Sequence, residues 1–332
     1  MPSHRSILSR TEETAMDRRY PEIEPFEHGF LDTHDGHHLY WEACGNPDGI
    51  PALFLHGGPG SGASAGQRRF FNPDVYRAIL FDQRGAGRSW PLASEPDADL
   101  STNTTQRLIA DIEALRELHA VGRWVILGLS WGTTLALAYA QAHPNRVRGL
   151  VLGLVTTTSR REVEWVTEDM GRVFPREWDR FAAAVPEQYR GMRLVDAYAA
   201  MLRDPDDAVR ERAAHEWCVW EDVHVSLAPG HQPSPRYEDP EFRVRFARLV
   251  THYWSNSAFL EEDQLIRDAD ALDGIPGRLI HGRYDISSPL QTAWELSKRW
   301  TTSQLTVMQD AGHGGADLPG LVVDALNELA RA

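Results

Sequence analysis

A serine flanked by glycines, Gly128-Leu129-Ser130-Trp131-Gly132, lies between the apolar run Trp124-Val125-Ile126-Leu127 and an Ala- and Leu-rich segment from Thr133 to Ala142 that stops before Pro144. A serine on a sharp strand-to-helix turn needs small residues two positions away on either side, because a side chain there would strike the adjoining strand or helix. The spacing therefore predicts a nucleophile, and the amino terminus of the following helix favours negative charge building up beside it. His56-Gly57-Gly58-Pro59-Gly60 follows another apolar run, Leu53-Phe54-Leu55. Acyl transfer needs backbone N–H donors aimed at the oxyanion, and glycines let a loop bring its amides up to a substrate. One donor is expected from Gly57, or failing that Gly58, and the other from Trp131. His56 has no nucleophile to activate and reads as a brace for the loop.

If the partners follow in the order nucleophile, acid, histidine, they lie downstream of Ser130. Asp285 comes just past the apolar Leu279-Ile280 and is expected to be the acid. His313, set between glycines in Asp310-Ala311-Gly312-His313-Gly314-Gly315, is expected to be the base. Asp310 and His281 are the rivals, but His281 sits in the strand exit that presents Asp285 and is poorly placed to face Ser130. Asp82-Gln83-Arg84-Gly85-Ala86-Gly87-Arg88-Ser89 lacks the third glycine and the following helix of a dinucleotide fingerprint, so it reads as a structural loop braced by Asp82 and Arg84.

Composition narrows the other classes. Of 34 cationic residues only Lys298 is a lysine, which makes Schiff-base chemistry, a Ser–Lys dyad or a phosphate-loop lysine improbable. The formal charge of −14 argues against nucleic acid, whose binding needs clustered cations. Two cysteines, Cys44 and Cys218, make no disulfide framework and are expected to be free thiols. No His-Glu-x-x-His spacing occurs, and neither a metal site nor a cofactor is expected. The polar start of the chain lacks a signal-peptide apolar stretch, and no window approaches the ~18 apolar residues of a membrane span, so a cytoplasmic protein without membrane contact is expected.

These residues need elements to hold them. His37 to Cys44 alternates like a half-buried strand, and Ala52–Leu55, Ala78–Phe81, Trp124–Leu127 and Leu150–Leu152 are short runs apolar on both faces, as in a parallel sheet. Leu108, Ile112, Leu115 and Leu118 recur at helical spacing, with Ser101, Thr102 or Asn103 available as the cap. Strand and helix alternate, which predicts an α/β protein with a mostly parallel sheet. Residues 156–258 are dense in Arg, Glu and Trp and have no apolar strand run. Alternation then resumes at Arg278-Leu279-Ile280 and Leu305-Thr306-Val307-Met308, and a helix around Leu321 to Leu329 closes the chain. The expected organisation is a flexible arm at 1–22, a catalytic domain formed by 23–155 and 259–332, and an inserted helical cap at 156–258.

Together these residues resemble the prolyl aminopeptidases, or proline iminopeptidases, of the α/β-hydrolase fold. The resemblance runs from about residue 23 to the end. It rests on DGHHLYWEACGNPDG, HGGPG, DQRGAGRS, GLSWGTTLALAYA, Trp217-Cys218-Val219-Trp220-Glu221, His252-Tyr253-Trp254, HGRYD and AGH, in this order. It implies a Ser130–His313–Asp285 triad beneath a helical cap, and metal-free removal of an amino-terminal proline, or another small residue, from short peptides through an acyl-enzyme. In that family two cap glutamates hold the substrate's ammonium. Glu221 matches the first, Val250 stands in place of the second, and Trp254 is placed at the substrate. The alternative with the same triad is an esterase or amidase acting on a neutral small molecule. A binding protein on a hydrolase scaffold has no need of nucleophile, base, acid and oxyanion loop together.

Overall fold

Eight strands form one sheet in the computed structural model, which describes residues 18–95, 97–225, 227 and 232–331. They are β1 (Glu27–Asp32), β2 (His38–Gly45), β3 (Ile50–Leu55), β4 (Tyr76–Phe81), β5 (Trp124–Leu129), β6 (Val147–Gly153), β7 (Gly277–Gly282) and β8 (Ser303–Met308), in spatial order β1-β2-β4-β3-β5-β6-β7-β8. β2 runs antiparallel to both its neighbours, and every other pairing is parallel. The two-sided apolar runs have a direct cause in this layering. Leu53, Leu55 and Ile126 face Leu108, Ile112, Leu115 and Leu135 on one side of the sheet. Phe54, Val125 and Leu127 face Leu318, Val322 and Leu326 on the other. With helices on both faces, a strand has no solvent side to make polar.

The helix predicted from Leu108 spans Thr105–Leu118, but its cap is Thr104, one residue beyond the expected candidates. Thr104 is extended and its side chain accepts from the Arg107 N–H at 3.2 Å. Asn103 instead donates to the Arg84 carbonyl at 3.2 Å, and Ser101 pairs with Asp99, so both are already engaged. The helix after Ser130 spans Trp131–Ala142, and the last helix spans Leu318–Arg331.

Between β6 and β7 the chain forms helices Arg160–Thr167, Pro175–Ala183, Leu194–Met201, Asp207–His224 and Pro240–Ser255. These share a core separate from the sheet, with Phe181 stacked on Tyr198 at 4.4 Å and on Trp220 at 5.3 Å. Arg248 donates to the Ala93 and Glu95 carbonyls at 2.7 Å each, and Trp165 Nε1 to the Ile286 carbonyl at 2.7 Å, fastening this layer over the sheet's carboxyl ends. Of the arm expected at 1–22, residues 1–17 lie outside the described residues. Arg18 pairs with Asp324, and the Tyr20 N–H donates to the Arg69 carbonyl. Cys44 and Cys218 are buried free thiols. Among the described residues no helix is long and apolar enough to cross a membrane.

Candidate active site

Ser130 sits one residue past β5 with φ 55° and ψ −124°, a conformation that costs a non-glycine residue about 1–3 kcal/mol. Its neighbours explain why the turn closes only with glycines. A Cβ on Gly132 would enter the carbonyl of Leu55 on β3, and one on Gly128 would enter that of Gly132. The bend is held by Ser130 N–H donating to the Gly153 carbonyl at 2.9 Å and by the Ser130 carbonyl accepting from Thr133 N–H at 2.7 Å.

The loops after β7 and β8 bring the other two groups to it. The Ser130 hydroxyl donates to His313 Nε2 at 2.9 Å, and His313 Nδ1–H donates to Asp285 Oδ2 at 2.8 Å. The second Asp285 oxygen accepts from the Ser288 N–H at 2.9 Å. Burial works to raise the Asp285 pKa, but the facing His313, with help from His281 and the Ser288 amide, holds it below the usual carboxylate range. Burial works to lower that of His313, and the Asp285 carboxylate reverses this and raises it. Such a chain can take a proton from the serine and hold the resulting imidazolium beside a carboxylate.

The rivals occupy other places. His281 Nδ1 accepts from Val155 N–H at 3.0 Å while Nε2–H donates to the Ser288 carbonyl at 2.6 Å, so both its nitrogens are used in shaping the Asp285 loop. Asp310 is exposed. His56 Nε2 accepts from Gln83 N–H at 3.0 Å, leaving Nδ1–H to donate to the Gly57 carbonyl at 2.9 Å. Gln83 in turn accepts from Trp131 Nε1 at 2.8 Å, so one relay ties the glycine loop to the serine turn. The Cβ that Gly57 lacks would lie 3.2 Å from Ser130 Cβ. Trp131 is the first residue of its helix, where the N–H has no intrahelical partner. Gly57, Gly58 and Trp131 all line the cavity above Ser130. Asp82 accepts from the Ala63 and Arg88 N–H groups at 2.6 and 2.8 Å, and Arg84 pairs with Asp111 and Asp35.

That cavity, of about 380 Å³, is roofed by the helical layer. Glu221 and Trp254 both line it, Trp254 edge-on to Trp217 at 5.7 Å. The Glu221 side chain is 12% exposed, and burial outweighs the nearby Arg236 and His313 to push its carboxyl up to about 7. Val250 is 0% exposed within the helical core. It contributes nothing to the cavity wall. Among the lining residues that escaped the sequence reading are Glu162, Arg236 and His224. Glu162 is saturated by Thr156, Thr157 and Thr292 and shapes the wall. His224 lies three residues after Glu221 in the same helix, a spacing that places both on one face, and that was the available signal. Among the described residues no group of three or more His, Cys, Asp or Glu is arranged to hold a metal ion.

The chain is an α/β hydrolase: the family model for that fold matches residues 51–317. It is 51% identical over 298 residues to a probable proline iminopeptidase of Streptomyces coelicolor, covering 89% of this chain and 92% of the relative. It is 47% identical to the proline iminopeptidase of Xylella fastidiosa over 89% of this chain and 93% of that one. The crystal structure of the Mycobacterium smegmatis proline iminopeptidase superposes with a TM-score of 0.64 at 19% identity, over 92% of this chain and 99% of the other, a likeness of fold. Within the α/β hydrolases, the chain belongs to the proline iminopeptidase family.

Proposed function

We propose that this chain is a serine aminopeptidase that releases an amino-terminal proline, or another small amino-terminal residue, from short peptides. The observation that carries this reading is the largely buried Glu221 carboxylate in the same cavity as the Ser130–His313–Asp285 chain. A carboxylate in a partly desolvated pocket is a selector for a substrate's ammonium. On this reading the ammonium is held at Glu221 and the first peptide carbonyl is presented to Ser130, both residues lining the one cavity.

On this reading residues 156–258 form a cap over a catalytic body made of 23–155 and 259–332. Ser130 Oγ attacks the carbonyl carbon as His313 Nε2 takes the hydroxyl proton, and the carbonyl oxygen acquires negative charge facing the N–H groups of Gly57, or Gly58, and Trp131. His313 then delivers the proton to the departing amine. A water, activated by His313 in the same manner, releases the amino acid from the acyl-enzyme. Asp285 keeps the Nδ1–H tautomer throughout, and Trp254 supplies an apolar wall for the first residue.

Comparison of kcat/KM on proline p-nitroanilide, alanine p-nitroanilide, N-acetylproline p-nitroanilide and p-nitrophenyl acetate tests the proposal. The free prolyl substrate is expected to be cleaved far faster than its acetylated form. Equal turnover of the two would leave an esterase or amidase on neutral substrates.

A further inference from the structure

His224 lies on the cavity wall, and the scheme above leaves its chemistry unspent. It is 2% exposed, and neither ring nitrogen has a hydrogen-bond partner among the described residues. Its ring leans on Trp220 at 5.4 Å, and the residue lines the cavity. Nε2 stands 3.6 Å from Glu221 Oε2, too far for a mutual hydrogen bond and close enough for one donor group to reach both. A buried imidazole with two idle nitrogens forgoes hydrogen bonds it had in water, and a ligand that restores one recovers that cost.

The charge state decides which kind of ligand. Burial, reinforced by the nearby His313, pushes His224 down to about 3, so its ring is neutral and one nitrogen keeps a lone pair. A neutral imidazole offers one acceptor and one donor. With Nε2 as acceptor, the imidazole and the Glu221 carboxylate are two acceptors 3.6 Å apart, and the glutamate rotamer can adjust their separation as a ligand enters.

We propose that His224 determines specificity: its Nε2 accepts one N–H of the substrate's terminal ammonium while Glu221 accepts another, so the pair matches a secondary ammonium, with two N–H groups, better than a primary one. This rests on Glu221 receiving the ammonium, as proposed above. A primary ammonium carries a third N–H, which this pair leaves without an acceptor, and a donor left unpaired on desolvation carries a penalty that the secondary ammonium avoids. Selection then comes from the number of N–H groups as well as from the shape of a pyrrolidine ring.

The test separates ring shape from N–H count by using N-methylalanine p-nitroanilide, an acyclic secondary amine, beside the alanine, proline and N-acetylproline p-nitroanilides and p-nitrophenyl acetate. Wild type is expected to prefer N-methylalanine to alanine. His224→Leu removes the acceptor. It should lower kcat/KM on proline and N-methylalanine by about ten- to a hundredfold more than on the acetate ester, chiefly through KM, and erase the preference. His224→Gln, whose terminal amide reaches the place of Nε2, should recover most of the loss, and it carries the test if the leucine variant fails to fold. Equal losses on all substrates would mean a packing role and overturn the proposal, as would an N-methylalanine preference that survives in His224→Leu or is missing in wild type. Equal cleavage of free and acetylated proline by wild type is a distinct failure, because it removes the ammonium itself and His224's role with it.

Discussion

Asp285 faces the Nδ1 edge of His313 at 2.8 Å, and each favours the charged form of the other. The carboxyl is depressed and the imidazole raised, against the direction in which burial alone would move either. A general base must be neutral to accept the serine proton, so turnover of p-nitrophenyl acetate is expected to be low in acid and to rise with pH through a single group above the ordinary histidine value of about 6.5. Asp285→Asn removes the charge that raises it. The inflection should move to lower pH, and kcat should fall by about four orders of magnitude because the tautomer is no longer fixed. A pH–rate profile whose inflection stays in place in the variant would show that another group governs it.

Ser130 stores strain that a smaller residue would release. Its φ of 55° is one that glycine adopts freely and alanine does not. Ser130→Ala and Ser130→Gly should both lose several orders of magnitude in kcat, because the members of such a triad act as a unit. They should part in stability, with the glycine variant about 1 kcal/mol more stable than the alanine variant in urea unfolding. Near wild-type turnover in either would exclude Ser130 as the nucleophile.

The serine turn was legible because its constraint is local and steric: strand, glycine, serine, glycine and helix lie within a few consecutive residues. Asp285 and His313 were legible from their places past the apolar runs that became β7 and β8. The helix cap was misplaced because three adjacent polar residues looked equivalent, and only the fold shows that Asn103 is already engaged with the Arg84 carbonyl. His224 was visible at helical spacing from Glu221, but its idle nitrogens follow from burial under the helical roof, which no local pattern encodes. Arg236 is brought to the cavity by the short turn Pro235–Glu238 and lies over the rings of Tyr237 and Phe246, a meeting of elements distant from Ser130 in sequence.

The loop at 82–89 is a brace, and its removal should be felt in stability. Arg84 Nε and Nη2 grip both Asp111 oxygens at 2.6 and 2.7 Å, in a site where burial raises the Asp111 pKa and Arg84 pulls against it. Arg84→Met leaves a buried carboxylate without its partner, which costs about 3–5 kcal/mol. Unfolding in urea should show a loss of that size, with Arg84→Met/Asp111→Leu recovering much of it and ester turnover per folded molecule staying close to wild type. A collapse of turnover without loss of stability would instead assign Arg84 to the reaction.

Glu221 links pH to substrate choice. Its carboxyl, pushed up to about 7 by burial, is protonated in acid and then offers an ammonium no charge. Arg236 and His313 oppose that rise while Asp222 adds to it, and neutral His224 contributes a lone pair without a charge. An α-amine is itself protonated only below about 8. KM for proline p-nitroanilide is therefore expected to fall as pH rises through about 7, where Glu221 ionises, and to climb again above about 8, where the substrate loses its charge. p-Nitrophenyl acetate has no amine and should show neither change. Glu221→Gln removes the charge at every pH: the acid-side change in KM should vanish, and prolyl substrates should lose about 2–4 kcal/mol of transition-state binding beyond any loss on the ester. A variant that loses equally on both substrates would show Glu221 supporting the roof of the cavity, and a KM for proline p-nitroanilide that is flat from pH 6 to 8 in wild type would remove the ammonium from Glu221.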